Sequence, residues 1–201
     1  MISIIDYGIG NLRSVQKALE YLKIKAVITS DEKVILRSDA IILPGVGAFP
    51  DAMKNISDNG IDKTLAIALT EGKPILGICL GMQLLFEESD EIIRTQGLGF
   101  IKGKVKKLEG NIKVPHMGWN SINIKKNCPL LKGVEEGSFA YFVHSYYVQV
   151  EKEEDLNATT FYGSEITAVV SANNVYGVQF HPEKSGDAGM KILQNFGELV
   201  L

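Results

Sequence analysis

Residues 74–86 read Pro74-Ile75-Leu76-Gly77-Ile78-Cys79-Leu80-Gly81-Met82-Gln83-Leu84-Leu85-Phe86. A short apolar run passes through a cysteine held between Gly77-Ile78 and Leu80-Gly81, then into a stretch with helical spacing over residues 82–86. Strand, sharp turn and helix in this order form the nucleophile-elbow pattern, with cysteine in the serine position. The turn pushes its central side chain out of the sheet, and the flanking glycines are needed because a β-carbon there collides with neighbouring backbone. Cys79 is then exposed near a helix N-terminus, where unpaired amides favour the thiolate. The plainer alternative is a buried cysteine on a tight turn.

The rest of the first half repeats the same grammar. Residues 2–5 are an apolar run followed by Asp6-Tyr7-Gly8-Ile9-Gly10-Asn11, which predicts a buried strand, a turn and a helix with Leu12, Val15, Leu19 and Leu22 on its apolar face. Residues 26–29, 40–43 and 74–79 are further short strands, and residues 52–69 have helical spacing between them. That alternation predicts βαβ units and a parallel sheet. The second half differs, with strands expected over 100–108, 140–150, 158–161, 167–172 and 175–180, joined by short polar or glycine turns. A last helix is expected over 187–201, capped by Asp187 and carrying Met190, Leu193 and Phe196 on one side. The expected fold is α/β: a central, mostly parallel sheet flanked by helices, with an antiparallel β extension in the second half.

A length of 201 residues fits one compact domain over 1–201. Hydrophobic residues at 45% and charged residues at 22% are ordinary for a globular chain, so folding throughout is expected. The formal net charge of -3 supplies no field to draw phosphate backbones or anionic lipid, which argues against nucleic acid and membrane as partners. A local basic run at Lys102, Lys104, Lys106 and Lys107 leaves room for a patch. The longest apolar stretch, 40–49, is broken by Pro44, Gly45 and Gly47, and no basic leader opens the chain, so neither a membrane span nor a secretion signal is expected. Two cysteines, Cys79 and Cys128, are too few for a disulfide framework or a zinc site, and a reducing cytoplasm fits best.

His181-Pro182-Glu183 follows the strand expected to end at residue 180. Pro182 excludes a regular helix interior and favours an extended path, in which residues two apart point the same way. Glu183 then accepts a hydrogen bond from one imidazole nitrogen while the other faces Cys79, the generalised cysteine, histidine, acid triad. The competing reading is a surface histidine beside a helix-capping glutamate. Pro44-Gly45-Val46-Gly47-Ala48-Phe49 closes another parallel strand and exposes backbone amides. An acyl-transfer site needs two such donors for its oxyanion, and the expected pair is the amide of Leu80 with one from Val46 or Gly47. A phosphate-cradling loop is the alternative, but the run lacks the Gly-Lys-Ser/Thr ending and the G-x-G-x-x-G spacing. His144 reads as a satisfied structural histidine on a strand, His116 has no partner visible in sequence, and Cys128 reads as a small, partly buried residue.

The strings at 44–49, 77–83 and 181–183 closely resemble the class I, or triad, glutamine amidotransferases, and the resemblance covers almost the whole chain. Within that class, Asp6-Tyr7-Gly8-Ile9-Gly10-Asn11-Leu12, Pro115-His116-Met117-Gly118-Trp119-Asn120 and Phe142-Val143-His144-Ser145-Tyr146 are similar to glutaminase subunits that serve histidine biosynthesis. These longer strings are far more specific than the triad. The resemblance implies Cys79 as nucleophile, His181 as base and then acid, and Glu183 as its orienter. It implies that Gln83 and the backbone of Gly47 and Ser145 hold glutamine. It also places Asn11, Trp119, Tyr141 and Lys184 at or near a partner, a (β/α)8-barrel cyclase. That partner takes nascent ammonia through its interior and uses it on a ribulosyl phosphate substrate to give imidazole glycerol phosphate and a purine precursor. No cofactor and no metal are implied. Plainer readings stand beside these: Trp119 as core, Asn11 as a helix cap, Tyr141 as a strand residue and Lys184 as a solvated charge.

The implied cycle is thiolate attack on the side-chain amide, loss of ammonia, and hydrolysis of a γ-glutamyl thioester. Free hydrolysis wastes glutamine, so the oxyanion donors are expected to form fully only when the cyclase is loaded, with Gly45 and Gly47 as the place for that switch. Three alternatives stay open. One is a class I glutaminase for pyridoxal phosphate or purine synthesis, one is a free-standing cysteine hydrolase of γ-glutamyl bonds, and one is a non-catalytic binding subunit that keeps the fold.

Overall fold

The computed structural model describes residues 1–200. In chain order the first half consists of β1 (Ile2–Ile5), α1 (Leu12–Tyr21), β2 (Ala26–Thr29), α2 (Glu32–Arg37), β3 (Ala40–Gly45), α3 (Phe49–Asp58), α4 (Ile61–Thr70), β4 (Ile75–Cys79) and the one-turn α5 (Leu80–Leu84). The second half holds β5 (Glu88–Ser89), β6 (Thr95–Gln96), β7 (Gly103–Lys107), β8 (His116–Ser121), β9 (Asn123–Ile124), β10 (Phe139–His144), β11 (Tyr146–Val150), β12 (Leu156–Tyr162), β13 (Ser164–Ala172), β14 (Val175–Val178) and α6 (Gly186–Glu198).

The main sheet runs β2-β1-β3-β4-β14-β13-β12-β9. Its first five strands pair in parallel and its last three antiparallel, which is the expected α/β architecture. Every residue of β1, β3, β4 and β14 is buried, as parallel strands covered on both faces require. Alternation sorts them: Ile2, Ile4, Ile42 and Ile78 pack with Val15, Leu19 and Phe196 on one face. Ile5, Ile41, Leu43 and Ile75 pack with Ile35, Ala52, Ile56 and Leu65 on the other. Two smaller sheets, β10-β8 and β11-β7-β5-β6, are antiparallel except where β5 pairs with β7 in parallel.

Several expected elements are recut. The helix expected over 52–69 is two helices, α3 and α4, broken at Asn59-Gly60, where Gly60 takes φ +67°, a left-handed value that closes one helix and re-aims the next. The strand expected over 140–150 is also two: β10 pairs with β8, β11 pairs with β7, and Ser145 is the break between sheets. The strand at 100–108 shrinks to β7, and that at 175–180 ends at Val178. Helix α6 begins at Gly186 with Ser185 at its cap position, so Asp187 lies in the first turn and is not the cap; residue 201 of that expected helix lies outside the described residues. The helix after the elbow covers Leu80–Leu84, not 82–86. Strand β8 and helix α2, whose cap Asp31 accepts from the Val34 amide at 3.1 Å, were not anticipated.

Strand order positions the site. Neighbours β3, β4 and β14 end side by side, with Gly45 paired to Cys79 and Val178 paired to Ile78. The loop after β3, the elbow after β4 and the His181 turn after β14 therefore emerge at one edge of the sheet, the carboxyl end where open α/β sheets place their sites.

Candidate active site

Cys79 sits at φ +55°, ψ -112°. A non-glycine residue pays about 1–3 kcal/mol to be held there. The flanking glycines permit it: a β-carbon on Gly81 would lie 1.7 Å from the Leu43 carbonyl oxygen, and one on Gly77 would lie 2.6 Å from the Gly81 oxygen. Neither position accepts any side chain without moving backbone. The loop after β3 carries Gly47 at φ +95°, and it is braced from below by Tyr7, whose buried hydroxyl donates to the Pro44 carbonyl at 2.9 Å. Burial, helped by Cys79, pushes the Tyr7 phenol up from its ordinary value, so it remains a donor.

A cavity of about 320 Å³ opens over the elbow. Seven of the residues singled out from sequence line it: Val46, Gly47, Cys79, Leu80, Gln83, Ser145 and His181. Glu183 stands behind, with its Oε1 accepting from His181 Nδ1 at 2.9 Å; the two side chains are 1% and 4% exposed. Burial alone drives an imidazole pKa down. Here the drop is outweighed by Cys79 and Glu183, and His181 is raised to about 9. His181 Nε2 is buried and has no partner in hydrogen-bonding geometry. Cys79 and His181 thus line one cavity with no hydrogen bond between them, an arrangement common where the productive bond tightens around substrate.

The sulfur has two long contacts, to the Val143 carbonyl and from Gln179 Nε2, each 3.8 Å. Gln83 Nε2 donates to the Tyr146 carbonyl at 2.9 Å and to Gln179 Oε1 at 3.1 Å. Sequence reasoning passed over Gln179, although it lies two residues before His181 on an extended path, the same spacing that singled out Glu183. It also passed over Glu91, the carboxylate lining the cavity, which arrives on a loop with no local motif. Glu91 accepts from the Phe49 amide at 2.8 Å; burial raises its pKa against that bond, with Asp51 adding to the rise. Among the described residues no group of histidine, cysteine, aspartate and glutamate side chains is arranged to hold a metal ion.

Asn11, Trp119, Tyr141 and Lys184 lie outside the cavity, on elements that pack together: α1, the β8-β10 ribbon and the turn Pro182–Lys184. Trp119 is 57% exposed, so it is not core, and its ring meets the Tyr141 ring edge-on at 6.1 Å. Asn11 occupies the cap position of α1 but its side chain makes no capping bond. Tyr141 ties this face to the site, because its carbonyl accepts from the His181 amide at 3.0 Å and its amide donates to Ser185 Oγ at 3.0 Å. No helix among the described residues is long and apolar enough to cross a membrane.

Comparison with known proteins shows the family. The family profile described as glutamine amidotransferase class-I matches residues 3–199. "Imidazole glycerol phosphate synthase subunit HisH" of Caldanaerobacter subterraneus subsp. tengcongensis is 56% identical over 200 residues, covering 100% of this chain and 98% of the relative. The protein of the same name from Bacillus licheniformis is 54% identical over 206 residues, covering 100% and 97%. Among solved structures, PurLQS from Thermotoga maritima superposes with a TM-score of 0.77 at 23% identity, covering 100% of this chain and 98% of the other. A structure named glutamine amidotransferase superposes with a TM-score of 0.77 at 20% identity, covering 98% of each. The last two speak for the fold and the first two for much more: the chain belongs to the class-I glutamine amidotransferases, among the relatives named imidazole glycerol phosphate synthase subunit HisH.

Proposed function

We propose that this chain is the glutamine-hydrolysing subunit of imidazole glycerol phosphate synthase, acting in histidine biosynthesis through a Cys79, His181, Glu183 triad. The observation that carries the mechanism is a strained cysteine and a proton-bearing histidine facing one cavity, with a buried carboxylate on the far imidazole nitrogen. Cys79 attacks the side-chain amide carbon of glutamine, and the oxyanion is met by the amide of Leu80 and one from Val46 or Gly47. Imidazolium His181 gives its proton to the departing nitrogen, and ammonia leaves. Neutral His181 then takes a proton from water, the hydroxide attacks the thioester, and glutamate departs as the sulfur regains its charge. Gln83 and the backbone of Gly47 and Ser145 hold the substrate.

Glu91 extends this reading. Glutamine carries an α-ammonium, and a half-buried carboxylate in the cavity is its natural complement. Glu91→Gln is expected to raise KM for glutamine about tenfold or more while changing kcat far less; an unchanged KM removes Glu91 from the substrate site.

The partner is a (β/α)8-barrel cyclase, docked on the face that carries Asn11, Trp119, Tyr141 and Lys184. Support comes from the exposure of Met117, Trp119 and Phe139 on the β8-β10 ribbon, at 62%, 57% and 60%. An apolar patch of this kind on one ribbon marks an interaction surface. The test is glutamine hydrolysis by the isolated chain, and by the complex with and without the cyclase substrate. Hydrolysis that rises when the loaded cyclase is present is the expected result; equal rates in all three would remove the coupling, and no hydrolysis in any would remove the activity.

A further inference from the structure

Two histidines beside the cavity are used by none of these steps, and their hydrogen bonds form a single directed chain. Asn120 Oδ1 accepts from the Ser121 amide at 2.8 Å and its Nδ2 donates to the Phe161 carbonyl at 2.9 Å, which fixes the amide's orientation. The same Nδ2 lies 3.2 Å from His116 Nε2, so that nitrogen is the acceptor. His116 Nδ1 then carries hydrogen and donates to His144 Nε2 at 3.0 Å. His144 Nδ1 in turn donates to the Tyr146 carbonyl at 2.8 Å. Working back from Tyr146 gives the same tautomers, because a carbonyl only accepts. A proton added to either ring would set one N–H against another. Burial agrees with this, drawing His116 down to about 4 and His144 down to about 3.

The chain ends on a group that matters to the pocket. The Tyr146 carbonyl also accepts from Gln83 Nε2, and Gln83 bonds Gln179, which reaches the Cys79 sulfur. His144 spans the break at Ser145, where the backbone leaves one sheet for another and the Ser145 carbonyl accepts from the Leu108 amide at 2.9 Å. His116 is clasped between the rings of Phe142 and Tyr162, at 4.8 and 4.1 Å, which holds its ring in place, while the His144 ring meets it at 68°.

We propose that His144 and His116 are positioning residues for glutamine: as a neutral relay anchored at Asn120, they hold the Ser145-Tyr146 wall and, through the shared Tyr146 carbonyl, the Gln83 side chain. This rests on the reading of the cavity as a glutamine site. The relay starts on β8, the strand that carries Trp119, so the pocket wall is tied to the exposed ribbon by fixed hydrogen bonds.

The test uses the assembled complex and compares His144→Phe with His144→Asn. Phenylalanine keeps the ring's shape and loses the donor; asparagine loses the shape and keeps an N–H where Nδ1 stood. The expected result is a KM for glutamine raised about tenfold in His144→Phe, with kcat within about threefold, and a KM restored to within about threefold of the parent in His144→Asn. A role in packing alone predicts the reverse order. If His144→Phe does not fold, His116→Phe, which keeps the clasp and removes the donor to His144, is expected to raise KM in the same way. An unchanged KM in the folded variant, or kcat and thermal stability falling together in both His144 variants with KM unmoved, overturns the relay. Absence of glutamine hydrolysis by the unaltered complex overturns the functional reading itself and is seen before any variant is made.

Discussion

Cys79→Ala is expected to lower glutamine-dependent synthesis by the assembled enzyme by about 10⁴-fold or more, while synthesis from added ammonia is expected to continue at the parent rate. The first half follows from chemistry, since no thioester forms without the sulfur, and removing the nucleophile of a triad costs about as much as removing the triad entire. The second follows from packing. The sulfur's polar contacts are two long ones at 3.8 Å, so their loss is expected to leave the strand, the elbow glycines and the exposed β8-β10 ribbon unaltered. Alanine retains the β-carbon at φ +55°, so the strain at the elbow is unchanged. Parallel assays with glutamine and with ammonium salt check both halves, and a matched fall in the two would mean that the chain serves the complex as structure only.

Glu183→Gln is the next largest effect. A carboxylate that orients a catalytic imidazole contributes about 10²–10⁴-fold to kcat, because it selects the tautomer and stabilises the charged ring. The pH profile gives a sharper readout than the rate. His181 is pulled down by burial and lifted further by Cys79 and Glu183, to about 9. Its protonated form therefore persists through neutral pH, and the acid that releases ammonia is lost only as pH rises through about 9. With the charge on residue 183 removed, burial gains and the pKa falls, so the alkaline limb of kcat/KM moves toward acid. The same sign holds for stability: a histidine raised above its unfolded value of about 6.5 stabilises the fold fully below that value and loses its contribution as pH rises through its folded pKa. A Glu183→Gln profile with an unmoved alkaline limb would detach Glu183 from the proton on His181.

The exposure of Trp119 shows where reading along the chain was insufficient. Its aromatic character fits a core as well as an interface, and the sequence PHMGWN carries no periodicity to separate them; pairing with Tyr141 across the β8-β10 ribbon leaves it outside. Helices α3 and α4 merged in the sequence reading although their buried faces, Ala52 and Ile56 on one and Ile61, Leu65 and Ala68 on the other, fall out of step across residues 59–60, where one left-handed glycine parts them. Glu91 and the His116-His144 pair were beyond reach for another reason: their partners lie 42 and 28 positions away, at Phe49 and across a ribbon.

By itself the order of residues determined the alternation of strands and helices, the elbow at Cys79 and the pairing of His181 with Glu183. Each of these depends on neighbours within a few positions, where period, glycine and proline act directly on the backbone. Only the tertiary structure decided that β14 lies beside β4, since strand order is chosen by long-range packing. That neighbour brings a histidine over a hundred residues distant in the chain to the cavity that Cys79 lines, where burial lowers its pKa and Cys79 and Glu183 raise it further.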